Sequence, residues 1–79
     1  MFINKTSEGY NNQCGEHVCV FRKAMHKSQR ELADILQLYG LDIDKNAIQR
    51  IEARSRFVTD IELVYLAKAL NKTYQELLE

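Results

Sequence analysis

The sequence predicts an all-α protein, one bundle of five helices. Three observations point there. The 79 residues include no proline and only three glycines, Gly9, Gly15 and Gly40, too little punctuation for a sheet with many turns. Apolar residues recur at steps of three and four, as in Leu32, Ala33, Leu36 and again in Leu63, Leu66, Ala67, Leu70, which is helical spacing. Three Ser/Thr-x-x-Glu capping boxes, Ser28–Glu31, Thr59–Glu62 and Thr73–Glu76, each stand before such a period and mark helix starts.

Met1 to Gln13 is polar and without period. It reads as a flexible N-terminal arm, 1–13, ahead of a folded domain, 14–79. A first helix is expected from Gly15 to Met25, with Val18, Phe21 and Met25 facing the core. Arg22 falls inside that stripe, and a charge on the core side of a helix needs a partner or must snorkel out. Ser28 opens the second helix, where Leu32, Ala33 and Leu36 point inward and Ile35 lies to the side. Gln29 sits beside the free amides at its start, a position suited to a phosphate.

Gln37 to Ile43 is a loop rather than a minimal turn. Gly40 is free to turn left-handed there. Leu38, Tyr39 and Leu41 are too apolar for a free loop and are expected to fold back on Ile35. Asp44 is the cap of a third helix, expected over 44–54. That helix has two faces. Lys45, Asn46, Gln49 and Arg50 share an arc of about 140°, and Ile48 and Ile51 point the other way. After a connection through Val58, the fourth helix runs to Leu70, where Asn71 is a left-handed stop. A short fifth helix carries Leu77 and Leu78.

The chain has 11 basic and 11 acidic residues, so any nucleic-acid footprint must be local. It is local at Lys45–Arg56, where Lys45, Arg50, Arg54 and Arg56 face the single acid Glu52. Cys14 and Cys19 lie on different helix faces, which disfavours a disulfide. With His17 and His26 they match no usual zinc spacing, so no metal or cofactor is expected. No run approaches the ~20 apolar residues of a membrane span and no signal peptide is evident, so a cytoplasmic, nucleoid-associated location is expected. G-x-S-x-G, H-E-x-x-H and a glycine-rich phosphate loop are missing from the sequence. Cys14 with His17 is the one nucleophile–base spacing, and no enzyme is expected.

From residue 15 to 79 the chain resembles the Cro/C1-type (XRE, phage-repressor-like) helix-turn-helix family. The matching residues are Phe21-Arg22, Ser28-Gln29 with Leu32-Ala33, Ala47-Ile48 with Arg50-Ile51-Glu52, Leu63 with Leu66-Ala67 and Leu70, and Glu76-Leu77-Leu78. The resemblance implies a lambda-repressor-like DNA-binding domain whose third helix enters the major groove. It implies a phosphate contact for Gln29 and base or phosphate contacts for Lys45, Asn46, Gln49 and Arg50. It also pairs Arg22 with Glu52 in a half-buried bridge between helices 1 and 3. The chain departs from the family in its lengthened loop between helices 2 and 3, expected to be pinned by Leu38 and Leu41. It departs again at Ala53-Arg54, where the family often has Asn-Gly. The third helix is expected to run on there and carry Arg54 and Arg56 towards phosphates. The expected DNA-binding set is Gln29, Asp44, Lys45, Asn46, Gln49, Arg50, Arg54 and Arg56.

The expected function is a sequence-specific regulator of transcription, a repressor, binding double-stranded DNA as a homodimer, with Ile61, Tyr65 and Tyr74 as candidate dimer residues. The rival reading is a protein-interaction module of the same fold, binding a toxin, a polymerase or another regulator. Net neutrality and the long loop favour that rival.

Overall fold

The computed structural model describes residues 4–79; residues 1–3 of the expected arm lie outside it. The described residues are all-helical, with five helices: α1 Gly15–Ala24, α2 Gln29–Leu38, α3 Lys45–Glu52, α4 Asp60–Leu70 and α5 Tyr74–Leu78. The helix starts follow the caps read from the sequence. Ser28, Thr59 and Thr73 each close a reciprocal box with Glu31, Glu62 and Glu76. Asp44 accepts from the Ala47 amide at 2.8 Å.

The helix ends share one device. His26, Gly40, Arg54 and Asn71 all have positive φ; the first three follow the C-cap residues Met25, Tyr39 and Ala53, and Asn71 is itself the C-cap of α4. In each case the next amide reaches back five residues: Lys27 to Arg22, Leu41 to Leu36, Ser55 to Arg50 and Lys72 to Ala67, at 2.9–3.2 Å. This is the Schellman closure, which satisfies the last carbonyls of a helix. Three of the four positions carry a side chain where glycine would be free of the roughly 1–2 kcal/mol left-handed penalty. The closure at Arg54 ends α3 at Glu52 and corrects the expected run to 54.

Val18, Leu32, Leu36, Ile48, Ile51, Leu66 and Leu77 are almost completely buried and form the core. Phe21, Ile35 and Leu41 pack against it. Three expectations fail here, one of them at Tyr39, which is 45% exposed and not folded back on Ile35. Met25 is exposed, and Leu38 is 86% exposed. Leu38 ends α2 on its outer face, so it cannot turn back on Ile35. The long loop is held by Leu41, which packs on the core as expected, by Gln37, whose side-chain amide donates to the Ile43 carbonyl at 2.8 Å, and by burial of Ile43.

The arm expectation is corrected over Tyr10–Gln13, which is bound to the domain. Asn12 is buried. Its Oδ1 accepts from the Gly15 amide at 2.9 Å, and its Nδ2 donates to the carbonyls of Ile51 and Arg56 at 3.0 and 2.8 Å. One side chain thus supplies the missing N-terminal cap of α1 and closes the end of α3. The two helix ends meet so closely that a Cβ on Gly15 would fall on the Ile51 carbonyl and against Arg54 Cγ, at 2.8 Å. Gln13 and His17 do the same for α5: Gln13 Nε2 donates to Leu78 O at 2.6 Å, and His17 Nδ1 pairs with Leu77 O at 2.8 Å. A carbonyl only accepts, so Nδ1 carries the proton.

Arg22 has the partner its position demands. Nε and Nη2 meet the two carboxylate oxygens of Glu52 at 2.7 and 2.9 Å, and Nη1 donates to Lys27 O at 2.7 Å. The side chains are 9% and 6% exposed. Burial pushes the Glu52 carboxyl up, but the hydrogen bonds from Arg22 and Gln29 outweigh it and hold the group below its ordinary range. The hydrogen bonds to Glu52 in turn raise Arg22 against the opposing effect of burial.

Arg22→Ala should cost ~3–5 kcal/mol by leaving Glu52 charged and buried, a fall of about 15 °C or more in Tm. A thermal melt followed by circular dichroism measures it, and an unchanged curve would show that the pair does not hold the fold. The pH dependence has a definite sign. Glu52 and Glu62 bind a proton less readily folded than unfolded, so their stabilisation is complete at neutral pH. It is lost as pH falls from the unfolded value near 4.3 through the lower folded values. Tm should hold between about pH 7 and 5 and decline below about pH 4.5; equal Tm at both ends of an acid series would contradict the assignment.

Candidate nucleic-acid interface

The eight residues of α3 divide cleanly. Ala47, Ile48 and Ile51 are buried, which fixes the helix's rotation. Lys45, Asn46, Gln49 and Arg50 are exposed, and none of these side chains has a hydrogen-bond or ion-pair partner among the described residues. Two amides and two cations therefore stand free on one face, with Lys45–Gln49 and Asn46–Arg50 stacked at i, i+4. Amides can donate and accept together, as an adenine edge requires, and a guanidinium presents two parallel donors, as a guanine edge requires.

The structure does not bring Arg54 and Arg56 to that face as free cations. The guanidinium of Arg54 lies over the Tyr10 ring, 3.9 Å from its centroid, and its Nε donates to Asn12 O at 3.3 Å. The left-handed turn at Arg54 sends the chain away from the helix axis and makes that stacking possible. Arg56 makes a two-pronged pair with Glu62 at 2.9 and 2.7 Å. That pairing raises Arg56 and holds the Glu62 carboxyl low. Asp44 is occupied as the cap of α3, and its negative charge opposes phosphate.

Gln29 is half-buried. Its Nε2 donates to Glu52 Oε1 at 3.0 Å, so its side chain is anchored to the Arg22–Glu52 pair. One amide hydrogen and the carbonyl oxygen remain for other contacts.

Arg30 was missed by sequence reasoning. It is exposed and without a side-chain partner among the described residues. With Lys45 it lines the open cleft between α2 and α3, alongside Asp34 and Asp44. The signal was available: Arg30 occupies the second place after the Ser28 cap, where a side chain must point outward. Cys14, by contrast, is buried and its thiol is pushed up by that burial, while His17 is committed to Leu77 O.

Arg56→Gln should lower Tm by a few degrees, because Glu62 loses its partner and the Thr59 box is loosened. It should leave the salt dependence of any DNA binding unchanged; a flatter dependence would make Arg56 a phosphate contact. No protein-family model, curated protein or solved structure matches this chain.

Proposed function

We propose that this protein is a sequence-specific, double-stranded DNA-binding regulator of transcription, of repressor type, reading the major groove with α3. The observation that carries the proposal is the free Lys45/Asn46/Gln49/Arg50 face, backed by a fully buried opposite face. Eight residues make a helix of about 12 Å, which suits a major groove about as wide. Arg50 is assigned a bidentate guanine contact, Asn46 and Gln49 adenine contacts, and Lys45 a guanine or phosphate contact. The start of α2, with Gln29 and Arg30, is assigned to phosphate, because its first backbone amides and helix dipole favour an anion. The Cro/C1 resemblance gives the same arrangement of a helix-turn-helix built from α2 and α3.

Few base contacts at ~1–3 kcal/mol each do not reach operator-grade affinity from one copy. The protein is therefore assigned as a homodimer on an inverted repeat, with half-sites about one helical turn apart. One observation favours the rival, a module binding another protein: Leu38, 86% exposed, on a chain with no net charge.

Selection from a random duplex library at moderate salt tests the two readings. Enrichment of a two-fold symmetric motif is expected. No enrichment by the folded protein would refute sequence-specific binding and leave the interaction module. Arg50→Ala should then weaken specific binding by about tenfold or more and non-specific binding much less; equal losses would reassign Arg50 to phosphate. Gln29→Ala should lower affinity about uniformly across sequences, and a changed base preference would contradict its assignment.

A further inference from the structure

The left-handed turns that end the helices differ in what holds their side chains. Asparagine tolerates that conformation at Asn71. At Arg54 the guanidinium is stacked on Tyr10. His26, at φ 57°, is exposed, and its imidazole has no partner among the described residues. Glycine would take this turn without strain. No contact among the described residues therefore accounts for a histidine there, and an uncompensated backbone outlier points to a use outside the domain.

His26 stands within a charge asymmetry. From His17 to Arg30 there are four cations, Arg22, Lys23, Lys27 and Arg30, and no Asp or Glu. Arg22 is committed to Glu52. Lys23, Lys27 and Arg30 have no ion-pair partner among the described residues; Lys23 and Arg30 are exposed and Lys27 is half-buried. The carbonyl end of α1 does not occupy the two lysines. Its last carbonyls take the backbone amides of Met25, His26 and Lys27, and the Lys27 carbonyl takes Arg22 Nη1. The acids at the border are Glu31, Asp34 and Asp44. Glu31 is tied to the cap of α2, accepting the Ser28 amide at 2.9 Å. Asp34 and Asp44 lie in the cleft that Arg30 and Lys45 also line.

The fold holds this corner beside the reading face. Lys45, Gln49 and Glu52 form one row along α3, at i, i+4 and i+7. Glu52 accepts from Gln29 Nε2 at 3.0 Å and from Arg22 Nε and Nη2 at 2.7 and 2.9 Å. Arg22 Nη1 donates to the Lys27 carbonyl at 2.7 Å. One bonded chain thus runs from the row that carries Gln49 to the backbone of Lys27, next to His26. We propose that Lys23, His26 and Lys27 form a second phosphate-binding strip, which grips the phosphodiester backbone of DNA beside the phosphate assigned to Gln29 and Arg30. This rests on the major-groove reading of α3 and enlarges its footprint. The ammonium groups meet phosphate oxygens as point charges, and an imidazole N–H donates to the same oxygens. Such contacts carry no base preference; they set register. Because the corner is tied to Glu52 through Arg22, a phosphate held there fixes where Gln49 and Arg50 stand along the groove. Continuity with the α2–α3 surface selects the occupant, the backbone of the same duplex.

Salt dependence tests the strip. Affinity for two duplexes of equal length and unrelated sequence is measured by fluorescence anisotropy over a range of salt. The proteins are the full-length wild type, K23Q/K27Q and K68Q/K72Q. The last removes the same charge from the α4–α5 side and so controls for net charge. In K23Q/K27Q the slope of log affinity against log salt should be shallower by about 2, one for each lysine. It should be unchanged in K68Q/K72Q. The loss of affinity in K23Q/K27Q should be about tenfold or more at low salt and equal on both duplexes. His26→Gly relieves the left-handed turn, so its Tm should not fall, yet it should bind both duplexes severalfold more weakly. Circular dichroism melts check that each variant is folded. If K23Q/K27Q is not, K23Q alone, at an exposed site, should flatten the slope by about 1 and decides the matter. A wild type that binds neither duplex overturns the major-groove reading and the strip together. A wild type that binds overturns the strip alone in any of three cases: the lysine variant keeps the wild-type slope or matches K68Q/K72Q, its loss falls on one duplex only, or His26→Gly binds as tightly as the wild type.

Discussion

The buried pair of Arg22 and Glu52 is the interaction on which the arrangement of α1, α2 and α3 depends. Desolvating two charges costs several kcal/mol per ion unless their hydrogen-bonding capacity is met. Here it is met almost completely. Glu52 Oε2 takes Arg22 Nε, and Glu52 Oε1 takes both Arg22 Nη2 and Gln29 Nε2. Arg22 Nη1 goes to the Lys27 carbonyl, while the Lys27 amide returns to the Arg22 carbonyl. The pair thus ties α1 to α3, anchors the first residue of α2, and seals the end of α1. An apolar pair of the same volume could match it in stability. It could not orient Gln29, and it would not fix the rotation of α3 through directional bonds at Glu52.

How far the sequence could be read follows from the range of the interactions. Cap residues act within three positions, so Ser28, Asp44, Thr59 and Thr73 announced their helices. The left-handed stop at Asn71 and the turn at Gly40 were legible for the same reason. Arg22 was legible because a charge in an apolar stripe is a local contradiction, and the family resemblance supplied Glu52 as its partner. Asn12 was not legible. Its partners, Ile51 and Arg56, lie about forty residues away, and nothing in a polar stretch such as Tyr10-Asn-Asn-Gln13 signals burial. The exposure of Leu38 also escaped, because apolar residues in a loop are by default assigned to the core.

The candidate site was legible in its centre and not at its edge. Lys45, Asn46, Gln49 and Arg50 follow from the helical period opposite Ile48 and Ile51. Arg54 and Arg56 were assigned to phosphate by counting charge along the chain, and charge counting does not distinguish a free cation from a paired one. The chain has five arginines. Arg22, Arg54 and Arg56 are engaged inside the protein, and Arg30 and Arg50 have no side-chain partner among the described residues. Pairing three of them leaves Arg30 on α2 and Arg50 on α3 as the exposed guanidinium groups.

That site also depends on how α3 is held. A helix of eight residues is too short to persist in water by itself. Its order comes from its attachments: Asp44 at one end, the burial of Ala47, Ile48 and Ile51 along its length, and Glu52 fixed by Arg22. At the far end Asn12 takes the Ile51 carbonyl and Arg54 closes the last turn against Tyr10. The segment before α1 is therefore structural on this account, since it stabilises the end of the helix that would read the DNA. A left-handed arginine in place of glycine is consistent with that role. Glycine would relax the turn, but it would remove the side chain that stacks on Tyr10 and donates to the Asn12 carbonyl, and with it the link between the N-terminal segment and α3.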